Sequence, residues 1–359
     1  MKKSMMSKPL VAAAVGSALL LGAVTEASAD RLRWRMPMTF SSNLPALGSP
    51  AAWTADRLKE MSGGEIQIRV SEPGKIVPPF EILEAVSEGK VEAGYSWIGY
   101  DQGKVPAVPL FAAVPFGLKP WAFTAWYYEG GGHEMLQDVY ANKGYNVYAN
   151  LCGIIGPETA GWYREPIKSL DDYKGLKIRF AGLGGKVLEK LGASVTMMPG
   201  GELFQALEKR TIDATEFSLP VIDQLLGFDK VVKNNLYPGW HQTFTAQYIL
   251  VNKDKWNSAS DAQKAMIQTT CQAATLQGLN EGEWLNPDVV AGFKDKGVNA
   301  EQLPLSVLKE LQDLSNEVLA EEASKDADFK RVYESQQDYA KKYERYFQLG
   351  YLPNELYQD

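Results

Sequence analysis

The chain has 359 residues, 45% of them hydrophobic, and a formal charge of −7 from 37 basic and 44 acidic side chains. Acidic and basic residues are interspersed, which argues against nucleic acid or an anionic membrane surface as a partner. Two histidines, His133 and His241, and two cysteines, with no HExxH or CxxC spacing, argue against zinc chemistry.

Residues 1–29 read as a secretory signal. Lys2, Lys3 and Lys8 give a positive start, Leu10 to Val24 is nearly all apolar, and Ala27-Ser28-Ala29 offers small residues for a peptidase. The apolar run is shorter than the roughly 20 residues of a spanning helix, so an exported, soluble chain starting near Asp30 is expected. About 330 mature residues exceed one ordinary hydrophobic core, which predicts two lobes.

Short apolar strands then alternate with helices: strand Leu32 to Met38, helix Ala46 to Met61, strand Glu65 to Val70, helix Pro79 to Glu88, strand Val91 to Trp97. This pattern predicts parallel βαβ units. Gly99 to Trp126, with four prolines among aromatics, reads as an irregular wrap near a cleft. A second α/β unit runs through strands at Asn146 to Leu151, Gly161 to Arg164, Leu176 to Phe180, Ser194 to Met198 and Ala214 to Phe217, with helices at Gly184 to Leu191 and Gly201 to Lys209. Beyond Ser260 come long helices at Asp261 to Trp284, Pro304 to Glu322 and Phe329 to Phe347, expected to clothe the lobes, with a homodimer contact as the alternative. Cys152 and Cys271 can pair or remain free in an oxidising compartment. Free cysteine as a small core residue is the favoured expectation.

An enzyme needs a nucleophile, a base or a cofactor loop, and there is no GxSxG, GxxxxGK[ST] or strand-linked GxGxxG. The glycines at Gly130 to Gly132, Gly182 to Gly185 and Gly200-Gly201 fit tight turns before helices. A lone Arg179 in the apolar strand Leu176 to Phe180 suits paired-donor recognition of a carboxylate. Taken alone, a solvated surface arginine is the plainer reading.

The order of Lys168-Ser-Leu-Asp-Asp-Tyr-Lys-Gly-Leu-Lys-Ile-Arg179, Leu191-Gly-Ala-Ser-Val195, Met198-Pro-Gly-Gly-Glu-Leu-Phe-Gln-Ala-Leu207 and Ile212-Asp-Ala-Thr-Glu216 resembles the solute-binding subunits of TRAP (tripartite ATP-independent periplasmic) transporters. Gly89-Lys-Val-Glu-Ala-Gly-Tyr95 and Tyr237-Pro-Gly-Trp-His241 extend the resemblance over nearly the whole mature chain. It implies the DctP family and an α/β, two-lobe periplasmic binding-protein fold with an interlobe cleft, crossover strands and long C-terminal helices. It also implies a periplasmic receptor that hands a small organic acid anion to membrane permease subunits. The expected lobes are 30–150 with about 243–285, and 151–242 with about 286–328, followed by a terminal helix at 329–359. Enzymatic use of Glu158 and Glu216, or a receptor feeding a sensor, are the alternatives.

By the same resemblance Arg179 pairs with the solute carboxylate, and Tyr100, Trp240, Phe217 and Glu158 stand near the solute. Arg179→Ala is expected to fold normally and lose binding. The branch resembled binds 2-oxo or 2-hydroxy monocarboxylates beside a metal cation, held at the positions of Glu158, Glu216 and Phe217. That branch usually carries Gln where this chain has Glu158 and Trp where it has Phe217. The additional carboxylate favours calcium over sodium, or a solute that carries its own cationic group, and no organic cofactor is implied. Glu158 reads equally as a solvent-facing loop acid, and His241 as a structural histidine near the metal or hinge.

Overall fold

The computed structural model describes residues 31–353, so the predicted signal segment, its cleavage point and the last residues of the expected terminal helix lie outside it. In β1 (Leu32–Pro37) Leu32, Trp34 and Met36 are buried while Arg33 and Arg35 are exposed, the two-residue period of a strand with one packed face. α1 (Ser49–Met61) carries Pro50 in its first turn, where no hydrogen bond is lost, and stops at Gly63 and Gly64, both at positive φ. It leads to β2 (Ile66–Ser71), parallel to β1. α2 (Ile82–Ser87) and β3 (Ala93–Ser96) follow.

The segment expected to be irregular is largely helical: a 3₁₀ turn at Ile98–Gly103, α3 (Pro109–Ala112) and α4 (Pro120–Glu129). Pro109 and Pro120 each open a helix instead of breaking one, which is why a proline count misleads here. α5 (Gly132–Asn142), a helix the sequence reading did not anticipate, precedes β4 (Val147–Ile155). The chain continues through β5 (Gly161–Tyr163), β6 (Lys177–Arg179), α6 (Gly182–Lys190), β7 (Ser194–Thr196), α7 (Gly200–Glu208) and β8 (Ala214–Thr215). Next come α8 (Pro220–Leu225), α9 (Phe228–Val231), β9 (Asn234–Tyr237), β10 (Thr245–Asn252) and α10 (Lys253–Ser258). α11 (Asp261–Ala291), β11 (Asn299–Gln302), α12 (Leu305–Lys325) and α13 (Ala327–Gly350) complete the chain.

One sheet has the order β2-β1 joined through a single Met38–Tyr95 bridge to β3-β10-β4, and the other has the order β11-β9-β5-β8-β6-β7. The sheets are mixed, not wholly parallel as expected: β10 runs antiparallel to β3 and β4, and β5 antiparallel to β8 and β9. The reason lies in connectivity. β10 arrives directly from β9 in the other sheet, and β5 from β4, so neither enters through a helical crossover within its own sheet. These two connections, residues 156–160 and 238–244, are the strand crossovers between the lobes.

α11 packs on β4, α1 and α8 and so touches both sides of the molecule. It runs past Pro287 to Ala291, beyond the predicted end at Trp284, because packing offsets a local cost of about 3 kcal/mol for an internal proline. Cys152 on β4 and Cys271 on α11 form a disulfide, correcting the free-cysteine expectation. Only the packing of strand on helix brings them together across 119 residues of sequence. α12 lies on α6, and α13 returns to lie on α3, α4 and α5, held by Gln336 donating to the Leu110 carbonyl and by Trp126 donating to Ser335. The first half of α13 therefore clothes the first lobe, while Tyr346, Leu349 and Leu352 near its end are exposed.

Candidate functional site

β6 and β8 are neighbouring parallel strands with Arg179 opposite Thr215, so Arg179 and Glu216 emerge together at the strand ends. Ligands of α/β sheets bind outside such carboxyl ends. Arg179 Nη1 donates to Glu216 Oε1 and to the Glu216 carbonyl, both at 2.8 Å. The two residues are 1% and 0% exposed, which rules out the surface-arginine reading. Arg179 Nε donates to the Met198 carbonyl at 3.3 Å, and Nη2 donates to the Tyr100 hydroxyl at 3.3 Å. Tyr100 lies in the 3₁₀ turn after β3, on the first sheet's side, so this bond spans the cleft. Of the five N–H donors of a guanidinium, these bonds leave one, on Nη2. Paired-donor recognition of a carboxylate at Nη2 thus requires the solute to take the place of Tyr100.

Glu158 sits in the connection from β4 to β5, pressed against the connection from β9 to β10. Its amide donates to the Gln242 carbonyl at 3.2 Å. A Cβ on Gly239 would come within 2.3 Å of the Glu158 carbonyl oxygen, so the turn carries glycine at its point of closest approach. The Glu158 carboxylate accepts Thr245 Oγ1 at 2.7 Å and Gln242 Nε2 at 3.0 Å. At 3% exposed, it is not the solvent-facing loop acid of the alternative reading. His241 comes close because Gly184 on α6 lacks a side chain, where a Cβ would stand 2.6 Å from His241 Cβ.

Burial and the neighbouring charge of Glu216 push the Glu158 carboxyl well above its usual range. Burial acts on Glu216 in the same direction, but the Arg179 charge, His241 and the Ala181 amide outweigh it and hold Glu216 below that range. The arginine is committed to one carboxylate, and the second has no matched countercharge. Glu158, Glu216 and His241 each present a ligand atom, and the three lie within 4.8 Å of one another. Glu216 Oε2 and both His241 ring nitrogens are buried without hydrogen-bond partners, with His241 Nε2 3.7 Å from Glu216 Oε2 and 3.9 Å from Glu158 Oε2. Paired carboxylate oxygens and orphaned buried donor atoms fit a cation, and the oxygens fit a hard one such as calcium.

A small cavity opens onto this group, lined by Tyr100, Glu158, Arg179, Phe217, Gln242 and Thr245 among others, with about 10 Å³ of free volume. That is room for about one water. The Phe217 ring covers Arg179, its centroid 5.3 Å from the guanidinium carbon. Trp240 does not line the cavity: it packs between Phe116 and Phe180, each 5.9 Å away, in the core of the second lobe. Trp97 lines the cavity, whereas Trp162 is a core residue that donates to Asp223 at 2.8 Å. His133 bonds with Tyr127 and Tyr148 in the first lobe, away from this site. Sequence reasoning missed Phe40, Gln242 and Thr245. Gln242 directly follows the Tyr237-to-His241 motif, the one local signal that pointed to it.

The family profile of bacterial extracellular solute-binding proteins, family 7 (DctP), matches residues 41–326. This chain belongs to that family. A monocarboxylate 2-oxoacid-binding periplasmic protein of Nostoc sp. is 36% identical over 309 residues, covering 86% of this chain and 84% of its own. The structure of a TRAP transporter solute-binding protein of Bordetella bronchiseptica, a mixed-occupancy dimer with copurified calcium and picolinate, superposes with a TM-score of 0.86 at 30% identity, covering 89% of this chain and 94% of its own. A TRAP periplasmic solute-binding protein of Pseudoalteromonas atlantica with bound sodium and pyruvate gives a TM-score of 0.86 at 30% identity, over 91% of this chain and 98% of its own. These relatives are transport receptors of the two-lobe fold, and enzymatic use of Glu158 and Glu216 is not favoured.

Proposed function

We propose that this protein is the periplasmic receptor of a TRAP transporter that captures a small 2-oxo or 2-hydroxy monocarboxylate with a cation and delivers it to membrane permease subunits. The observation that carries this reading is the buried charge set. Arg179 and Glu216 neutralise each other, and Glu158, whose ionised form has no matched countercharge, is held toward its protonated form until a cation joins it. The two positive charges of calcium equal the negative charges of Glu158 plus one solute carboxylate, so the occupied site is neutral. Sodium leaves one charge over, and a dicarboxylate leaves another. Neutrality matters because an uncompensated buried charge costs several kcal/mol, by the usual order of magnitude.

Arg179 receives the solute carboxylate at Nη2 in place of Tyr100, while Glu158 and Glu216, with the Phe217 backbone, hold the cation. Because β4 pairs with β10 as far as Ile155 and is cross-linked to α11, residues 31–155 with 245–285 are one moving body and 161–237 with 286–328 the other, a boundary five residues later than the expected one at 150. The Tyr100–Arg179 bond spans them and is exchanged for the solute on capture.

Thermal unfolding against a panel of mono- and dicarboxylates and zwitterions, each with EDTA, sodium or calcium, tests this. A ligand at 100 times its Kd adds about 2.7 kcal/mol. A rise of several degrees for a 2-oxo or 2-hydroxy monocarboxylate, largest with calcium, is expected. A shift confined to dicarboxylates, or one indifferent to EDTA, contradicts the reading.

A further inference from the structure

Asp223 on α8 is fully buried and lies outside the lining of the cavity at Arg179. Its carboxyl oxygens accept three hydrogen bonds: Oδ1 from the Ser218 amide at 3.1 Å, and Oδ2 from Trp162 Nε1 at 2.8 Å and from Thr159 Oγ1 at 3.4 Å. These donors fall on the two stretches that carry the cation ligands. Thr159 directly follows Glu158, Ser218 directly follows Phe217, and Trp162 on β5 stands opposite Thr215, the residue before Glu216. One backbone bond, from the Thr159 amide to the Ser218 carbonyl at 3.3 Å, joins the same two stretches directly. α8 is itself tied down, because the Val221 amide donates to Asn286 Oδ1 on α11 at 3.2 Å.

We propose that Asp223 is a positioning residue of the cation site: it touches neither cation nor solute, and by fastening the Glu158 stretch to the Glu216–Phe217 stretch it sets the spacing of the two carboxylates. The proposal rests on the cation reading above. Ligand atoms of Glu158 and Glu216 lie within 4.8 Å of one another, and two ionised carboxylates that close repel. Ligands free to drift apart must be gathered again when the cation arrives, whereas an acceptor shared by both stretches fixes their separation beforehand. Among the described residues Asp223 forms no ion pair, and burying a carboxyl group without one costs stability, so packing alone does not account for it. Asparagine is no substitute. It has one acceptor oxygen and one amide nitrogen, and either orientation sets an N–H against the Ser218 amide or against Trp162 Nε1.

The test is calorimetric titration of calcium into the solute-free protein and into Asp223→Asn, Thr159→Val and Thr159→Ser, each held well below its melting temperature. Asp223→Asn is expected to weaken the calcium Kd by about tenfold or more. Thr159→Val keeps the shape and charge of the site but loses the hydroxyl donor, and should weaken it by about threefold or more. Thr159→Ser, which keeps the donor, should bind calcium within about twofold of the parent. The two threonine variants alter no charge, so loss in valine with rescue in serine separates the tie from simple attraction between Asp223 and the cation. They also decide the matter if Asp223→Asn does not fold. An Asp223→Asn protein that melts lower yet binds calcium as the parent does overturns the proposal, leaving Asp223 a purely structural residue and the cation reading intact. A loss in Asp223→Asn with Thr159→Val unchanged overturns it too, because the effect is then one of charge. Absence of calcium binding by the parent, with and without pyruvate, overturns the cation reading and the proposal with it.

Discussion

Arg179 and Glu216 were legible as residues because both sit in ordered motifs, and the register of β6 on β8 makes them partners. Glu158 was legible as a ligand only through the resemblance, and from its own surroundings it read equally as an acid in a loop. Its burial depends on residues 238–245 folding over it, a contact between segments some 80 positions apart, and no local pattern carries that. The same holds for Thr245 and Gln242. Burial also changes what the arginine variant should do. The sequence alone led to the expectation that Arg179→Ala folds normally, but removing one partner of a fully buried ion pair leaves Glu216 uncompensated, a loss on the order of 3–5 kcal/mol. Urea denaturation of Arg179→Ala should show that loss, and binding of pyruvate should weaken by about a hundredfold or more. Normal stability together with normal affinity would remove Arg179 from the site.

Among elements, α12, α13 and the strands around Arg179 were read with ends close to those observed, because their apolar periodicity is strong, whereas α11 was expected to stop at Trp284 and runs on to Ala291. The helical stretch from Ile98 to Glu129 was not, since proline at a first helical turn and proline as a breaker look alike in sequence. The pairing of β4 with α11 was equally hidden, and with it the disulfide. Cross-linking residues 119 apart restricts the unfolded chain by about 4–5 kcal/mol in the loop-entropy account. Reduction, or replacement of both cysteines by serine, should lower the urea midpoint accordingly. A midpoint indifferent to reductant would mean that the bond adds nothing to the packing of β4 on α11.

For the molecule as a whole, two lobes followed from length and alternation, whereas the mixed strand directions came from the way the chain passes between lobes. Stability against pH is a property of the same scale. Burial raises Asp101 and Asp223 to about 7 from 3.8, so the folded state holds protons that the unfolded state releases, and the stability this provides is present below pH 4 and lost as pH rises to 7. Glu216, held below its usual 4.5, acts oppositely: its contribution is present above 4.5 and lost as pH falls through its folded value. Melting of the cation-free protein should be highest near pH 4–5 and several degrees lower at pH 8, and a midpoint that rises steadily to pH 8 would contradict these assignments. The central claim is that one buried site joins a monocarboxylate to a cation. Its most direct test is calorimetric titration of pyruvate into protein dialysed against EDTA and into the same protein reloaded with calcium. Tight one-to-one binding only after calcium is restored is the predicted result, and equal affinity in both samples would contradict it.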